Sequence, residues 1–168
     1  MDGATRTPSG LSRDASDQFI GIGDFDDNGV DDVLFARGSN GAKVAFNVDG
    51  SFLTGFGRTS QDVVAIGDFD GDGADDVLFE APASDAFIEV DGASAGVIAT
   101  FVNPGTVRAV GDYDADFEKK LVFEEADGSF ELIAANGTPL VDYGQAVNTL
   151  IALDPLGTGS LGEDILVI

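Results

Sequence analysis

The chain has 168 residues, enough for one domain with a sizeable core or for one repeat array. With 43% hydrophobic residues it is no disordered acidic tail, although its formal net charge is −23; that charge disfavours nucleic acid and anionic membrane surfaces and makes polyvalent cations the natural partners. The absence of cysteine excludes disulfides and thiolate metal sites, and the absence of histidine removes the commonest general base and zinc ligand.

The first stretch, MDGATRTPSGLSRDASD, is polar and lacks the apolar middle of a signal peptide. The chain therefore starts after processing, is exported by another route, or stays inside; its acidic, cysteine-free composition fits a secreted protein. No apolar run approaches the roughly 20 residues of a membrane span, so membrane insertion is not expected.

Beyond this segment the sequence repeats with a period of 44 residues, marked by Asp24, Asp68 and Asp112 at the heads of three acidic loops. A short apolar segment follows each loop in step: DVLF from Asp32, DVLF from Asp76 and KLVF from Lys120, with a fourth counterpart, DILV, from Asp164. The repeats lie at about 18–60, 61–104 and 105–147, with a partial one at 148–168.

The first repeat reads as GDFDDNGVDDVLF and then KVAFNV, closed by the turn pair Asp49-Gly50. The second reads as four short strands. VVAIGDF (Val63–Phe69) is rich in β-branched residues, and the acidic loop and DVLFEA follow it. AFIEV (Ala86–Val90) ends at Asp91-Gly92, read as a tight-turn pair, and GVIATFV (Gly96–Val102) precedes Asn103-Pro104-Gly105. In the third repeat KLVF and FELIAA lead to Asn136-Gly137. No segment has helical period or helix caps.

Four antiparallel strands in about 44 residues is the signature of a β-propeller blade, which predicts an all-β chain of about four blades. A stacked solenoid competes, but solenoid repeats usually have fewer strands. Asp2-Gly3 resembles the turn between strands three and four, so the N-terminal segment is expected to supply an outer strand for the blade begun near the C-terminus. The alternatives are a closed four-bladed ring and a partial propeller completed by another copy, a homo-oligomer.

The loops carry the chemistry. The first places Asp24, Asp26, Asn28 and Asp32 at positions 1, 3, 5 and 9, and the second places Asp68, Asp70, Asp72 and Asp76 there. Side-chain oxygens at these positions suit a hard cation that takes 6 to 8 oxygen ligands, with the backbone carbonyls of Val30 and Ala74 at position 7. Glycine at position 6 permits the positive φ that wraps the backbone round an ion. Calcium is preferred to magnesium because the loop offers many oxygens in flexible geometry, and zinc is disfavoured without nitrogen or sulfur ligands. Two calcium ions are expected. Solvated acidic turns are the plain alternative, but two copies in one register before one strand pattern count against it. Asp27, Asp31 and Asp75 are expected to face solvent.

An EF-hand is excluded, because position 12 falls on Phe35 and Phe79 and the flanking segments are not helical. With the last ligand at position 9 leading into a strand, GDFDDNGVDDVLF, GDFDGDGADDVLF and the weaker GDYDADFEKKLVF resemble the FG-GAP/VCBS repeats of integrin α-subunits and many bacterial surface proteins. The resemblance spans nearly the whole chain. It implies one calcium ion per intact loop and a role in extracellular or cell-surface adhesion or recognition, with a protein or glycan as ligand. The family's full propellers usually have seven blades, more than this chain supplies.

The third loop keeps Asp112, Asp114 and Asp116 but has Phe117 for the glycine and Lys120 for the last ligand. The lysine ammonium can stand in for an ion's charge, so tight calcium binding is not expected there. The fourth, Asp154 to Gly159, keeps one carboxylate and is expected to be metal-free. The recurring aromatics Phe25, Phe69 and Tyr113, and Phe35, Phe79 and Phe123, are expected to pack between blades. Unrepeated acids such as Glu80, Glu89 and Glu131 occupy ordinary strand positions, so an enzyme, including a carbohydrate-active one, is not expected. A structural spacer or oligomerisation domain of a larger secreted protein is the main alternative to adhesion.

Overall fold

The computed structural model describes residues 13–145, 150–153 and 164–167. These residues form an all-β structure of fourteen strands, with no helix among them. The strand expected near Asp2-Gly3 and the loop from Asp154 to Gly159 lie outside the described residues.

Each successive stretch of chain makes one four-stranded antiparallel sheet in simple sequence order. The first comprises β1 (Gln18–Gly23), β2 (Asp32–Ala36), β3 (Lys43–Phe46) and β4 (Phe52–Gly57). The second comprises β5 (Asp62–Gly67), β6 (Asp76–Ala81), β7 (Ala86–Val90) and β8 (Val97–Val102). The third comprises β9 (Thr106–Gly111), β10 (Lys120–Glu124), β11 (Ser129–Ala134) and β12 (Pro139–Gln145). A hairpin of β13 (Leu150–Leu153) and β14 (Asp164–Val167) follows.

The 44-residue period extends to a detail the residue pattern did not reveal. In each four-stranded sheet the first strand carries one extra residue against the second, at Ile20, Val64 and Arg108. Such a bulge re-aims the side chains beyond it and strengthens the local twist. Every acidic loop therefore leaves its first strand by the same geometry.

The second strands are buried on both faces. Val77, Leu78 and Phe79 are all fully inaccessible, which a sheet with one solvent face would not allow. Phe25, Leu34, Ala45 and Phe56 of the first repeat pack against Val77, Phe79 and Val90 of the second. One repeat later Ala65, Phe69, Leu78 and Phe87 pack against Leu121, Phe123, Ile133 and Ala135. Edge-to-face ring pairs occur within and between the layers, with centroids 5.7 Å apart for Phe25 and Phe56 inside the first repeat and 5.1 Å for Phe87 and Phe123 across the second and third. Each buried phenylalanine contributes about 2–3 kcal/mol by leaving water. The loop aromatics Phe25 and Phe69 thus pack in the core and do not present a stacking surface for sugars.

One turn differs from its sequence reading. Asp91-Gly92 does not supply the left-handed residue of the β7–β8 connection, which falls instead on Ala95 at φ 56°. Gly92 is required for space: a Cβ there would lie 2.0 Å from the backbone oxygen of Asp75.

Candidate metal centre

The loops between the first and second strands share one backbone course. Position 4 is left-handed in all three, at Asp27 (φ 52°), Gly71 (φ 79°) and Ala115 (φ 60°). Position 6 is left-handed too, at Gly29 (φ 80°), Gly73 (φ 98°) and Phe117 (φ 76°). These two residues turn successive N–H groups towards the aspartate at position 1. Asp24 accepts hydrogen bonds from Asn28 N (3.0 Å) and Gly29 N (2.7 Å), and Asp68 accepts from Gly71 N (2.7 Å) and Gly73 N (3.1 Å).

In the first loop Asp24, Asp26 and Asp32 each bring a carboxylate oxygen within 4.8 Å of the others. Asn28 caps the turn by accepting from Val30 N at 2.9 Å, and the Val30 side chain is exposed. Asp32, at the start of β2, is 1% exposed, and its Oδ2 is buried without a hydrogen-bond partner.

In the second loop Asp68, Asp70 and Asp76 converge in the same way. Asp76 is fully buried and accepts from Phe69 N (3.0 Å) and Gly92 N (3.1 Å), while Ala74 N donates to Asp72 at 2.9 Å. The Asp72 carboxylate is drawn instead into a second set with Asp70 and Asp91, again within 4.8 Å. Asp70 belongs to both sets.

These groups resist ionisation. Burial, reinforced by Asp26, Asp24 and Asp31, pushes the Asp32 carboxyl up to about 6. Burial pushes Asp76 up to about 7, with Asp70 and Glu89 adding to it against the two backbone hydrogen bonds. Asp70 is raised by burial and by the charges of Asp72, Asp68 and Asp91. A divalent cation among these oxygens would reverse the balance by supplying the missing opposite charge.

The third loop carries its own cation. Lys120 is 4% exposed, and its Nζ donates to both oxygens of Asp116 at 2.7 and 2.8 Å and to the Glu118 carbonyl at 3.2 Å. Asp114 and the Glu118 carboxylate stand 3.5 and 3.4 Å away. Burial opposes the ammonium's charge, but these carboxylates outweigh it and hold its pKa above the ordinary value. Asp112, Asp114 and Asp116 still lie within 4.8 Å of one another, and Asp112 Oδ1 is buried and unpartnered.

Three residues have roles that the repeat pattern concealed. Asp75 is half-buried and does not face solvent: its N–H donates to Asp24 O (2.8 Å), and its Oδ2 accepts from Asp24 N (2.9 Å), so it joins the second repeat to the first. The next repeat keeps the backbone half of this joint, as Lys119 N donates to Asp68 O at 2.7 Å. Glu89 is 2% exposed, far from an ordinary strand carboxylate. Asp91 comes from the end of β7, outside any loop motif; the only signal in the sequence is the contrast with Asn47, its counterpart one repeat earlier.

No known family model matches this sequence, and no curated protein matches it.

Proposed function

We propose that the chain is a calcium-binding module of β-propeller-type blades, in which calcium ties the loop between the first two strands of repeats 1 and 2. The observation that carries the calcium reading is Asp32 Oδ2, a buried carboxylate oxygen with no partner, beside the carboxylates of Asp24 and Asp26. Leaving such an atom unsatisfied costs about 1–3 kcal/mol, and a hard cation supplies what it lacks. The blade reading draws support from three consecutive four-stranded sheets that repeat the same bulge and pack layer on layer.

In this reading Asp24, Asp26, Asn28 and Asp32, with the Val30 carbonyl, hold one ion. Asp68, Asp70, Asp72 and Asp76, with the Ala74 carbonyl, hold another. Extracellular calcium modules commonly bind with Kd of about 10⁻⁴–10⁻³ M. An ion at a hundred times its Kd stabilises the fold by about 2.7 kcal/mol. Adhesion or recognition outside the cell, with a protein or glycan ligand, rests on the resemblance of the loops to FG-GAP/VCBS repeats; a glycan array or pull-down separates it from a spacer role.

Calorimetric calcium titration, with thermal melts in calcium and in chelator, tests the site. The expected result is saturable binding and a clear fall in Tm in chelator, with Asp32→Ala abolishing the first-loop ion and Asp76→Ala the second-loop ion. Absence of binding, or a Tm indifferent to chelator, would overturn the reading.

A further inference from the structure

The sheets stack in one sense. Val77, Phe79 and Val90 of the second sheet lie against the first repeat, and Leu121, Phe123 and Ile133 of the third lie against the second. Register identifies the matching face of the first sheet: Val33 pairs with Phe46 as Val77 pairs with Val90 and Leu121 with Ile133. On that face Phe35, Val44 and Phe46, with Val33, form a cluster drawn from the first sheet alone among the described residues. Its flanking rings are open to water, Phe19 beside Phe35 being 63% exposed and Phe52 beside Phe46 40%.

Among the described residues, what lies over this face is charge and not a sheet. The Arg13 guanidinium stands 5.1 Å from the centroid of the Phe35 ring, and the Arg37 guanidinium stands 5.1 Å from that of Phe46. A guanidinium can rest on an aromatic ring while its edge stays hydrated, so it covers apolar area without burying its charge. Asp17 holds the arrangement. Its carboxylate is almost wholly buried and accepts from Arg37 Nη1 at 3.0 Å, Gly38 N at 3.1 Å and Asp14 N at 2.9 Å. The segment before β1 is thereby tied to the turn after β2, so closely that a Cβ on Gly38 would lie 2.4 Å from the Ser16 carbonyl oxygen. None of this belongs to the repeat. One period on, Arg13, Asp17 and Arg37 become Gly57, Gln61 and Ala81, and two periods on they become Phe101, Gly105 and Glu125. These departures fall on the one face, among the described sheets, that lacks the preceding sheet its two counterparts have.

We propose that Arg13–Asp17 is a strap, latched by Asp17 to Arg37 and Gly38, that keeps a second copy of this chain from stacking a sheet on the first repeat. The face beneath it uses the strand positions that receive a neighbouring sheet twice within this chain. An apolar sheet face of another copy is therefore the partner it fits. Uncovered apolar faces of this kind favour association, and end repeats of arrays need a polar outer surface to stay apart. The two guanidiniums supply that surface here. This inference does not depend on the calcium reading, since no residue of the strap belongs to a carboxylate set.

Sedimentation velocity of the full chain in excess calcium, over a wide concentration range, tests it. The unaltered protein is expected to keep one sedimentation coefficient throughout, and Arg13→Ala/Arg37→Ala to shift to larger species as concentration rises. Asp17→Asn keeps a side-chain oxygen but weakens the latch, and is expected to shift in the same direction to a smaller extent. It also carries the test if the double variant loses its β-sheet circular dichroism. Variants that stay folded and monomeric, or an unaltered chain that associates as they do, would overturn the proposal. Phe19→Cys puts the only thiol of a cysteine-free chain on the face itself. Its reaction with a thiol reagent should slow several-fold when the double variant associates. An unchanged rate in the associated form would place the contact elsewhere and overturn the assignment of this face.

Discussion

Asp75 and Asp24 clasp each other across the first two repeats, the Asp75 N–H donating to Asp24 O at 2.8 Å and the Asp24 N–H to Asp75 Oδ2 at 2.9 Å. Asp24 also opens the first acidic loop, so the joint between sheets and the candidate metal loop share one residue. Replacing Asp75 by alanine removes the side-chain half and leaves Asp24 N unsatisfied. Urea unfolding in excess calcium should show a loss of about 1–2 kcal/mol. Calcium stoichiometry should not change, because Asp75 lies outside both carboxylate sets of the second loop.

Phe117 occupies the left-handed position that Gly29 and Gly73 occupy in the other loops, and the residue is 64% exposed. A left-handed conformation costs a residue bearing a Cβ about 1–2 kcal/mol, and little burial offsets it here. Phe117→Gly is therefore expected to raise stability by about 1 kcal/mol. Gly73→Ala should lower it by a similar amount. Chemical denaturation of the pair measures both signs.

Lys120 acts as a tethered cation for the third loop. Restoring the glycine and the last carboxylate with Phe117→Gly and Lys120→Asp together should give the third loop the ligand pattern of the other two and a calcium site with it. Calorimetry is expected to find one ion more than in the unaltered chain. Lys120→Met in chelator should lower Tm, since Asp116, Asp114 and Glu118 then repel without a counter-charge.

Asp76 and Glu89, both raised to about 7 chiefly by burial, and Asp32, raised to about 6, make stability depend on pH. A carboxyl raised in the folded state keeps a proton that the unfolded chain releases near pH 4. Between about pH 4 and 7 the folded chain thus binds more protons, and its stability falls as pH rises. In chelator, Tm should decline from pH 5 to pH 8. Calcium binds the ionised form, so the gain in Tm from calcium should grow over the same range. Melts at several pH values with and without calcium check both trends, and a chelator profile rising towards pH 8 would contradict them.

Much of the fold was legible because the repeated features are local. DVLFEA and AFIEV form strands over the residues expected, β6 and β7, since apolar β-formers bounded by turn residues need no distant partner to declare themselves. Aspartates at odd positions and glycine at position 6 likewise reflect a backbone course within a single loop. The second left-handed position was hidden because Asp27, Gly71 and Ala115 share no residue type.

By itself, then, the sequence determined the period, the strand composition of each repeat and the spacing of the acidic side chains, all consequences of short-range backbone geometry. Only the tertiary structure decided that Asp75 would clasp Asp24, that Gly92 must make room for the Asp75 carbonyl, and that Glu89 would be buried beside Asp70. Those outcomes depend on which atoms of a neighbouring loop or sheet lie opposite, and the alternation of a single strand carries no record of that.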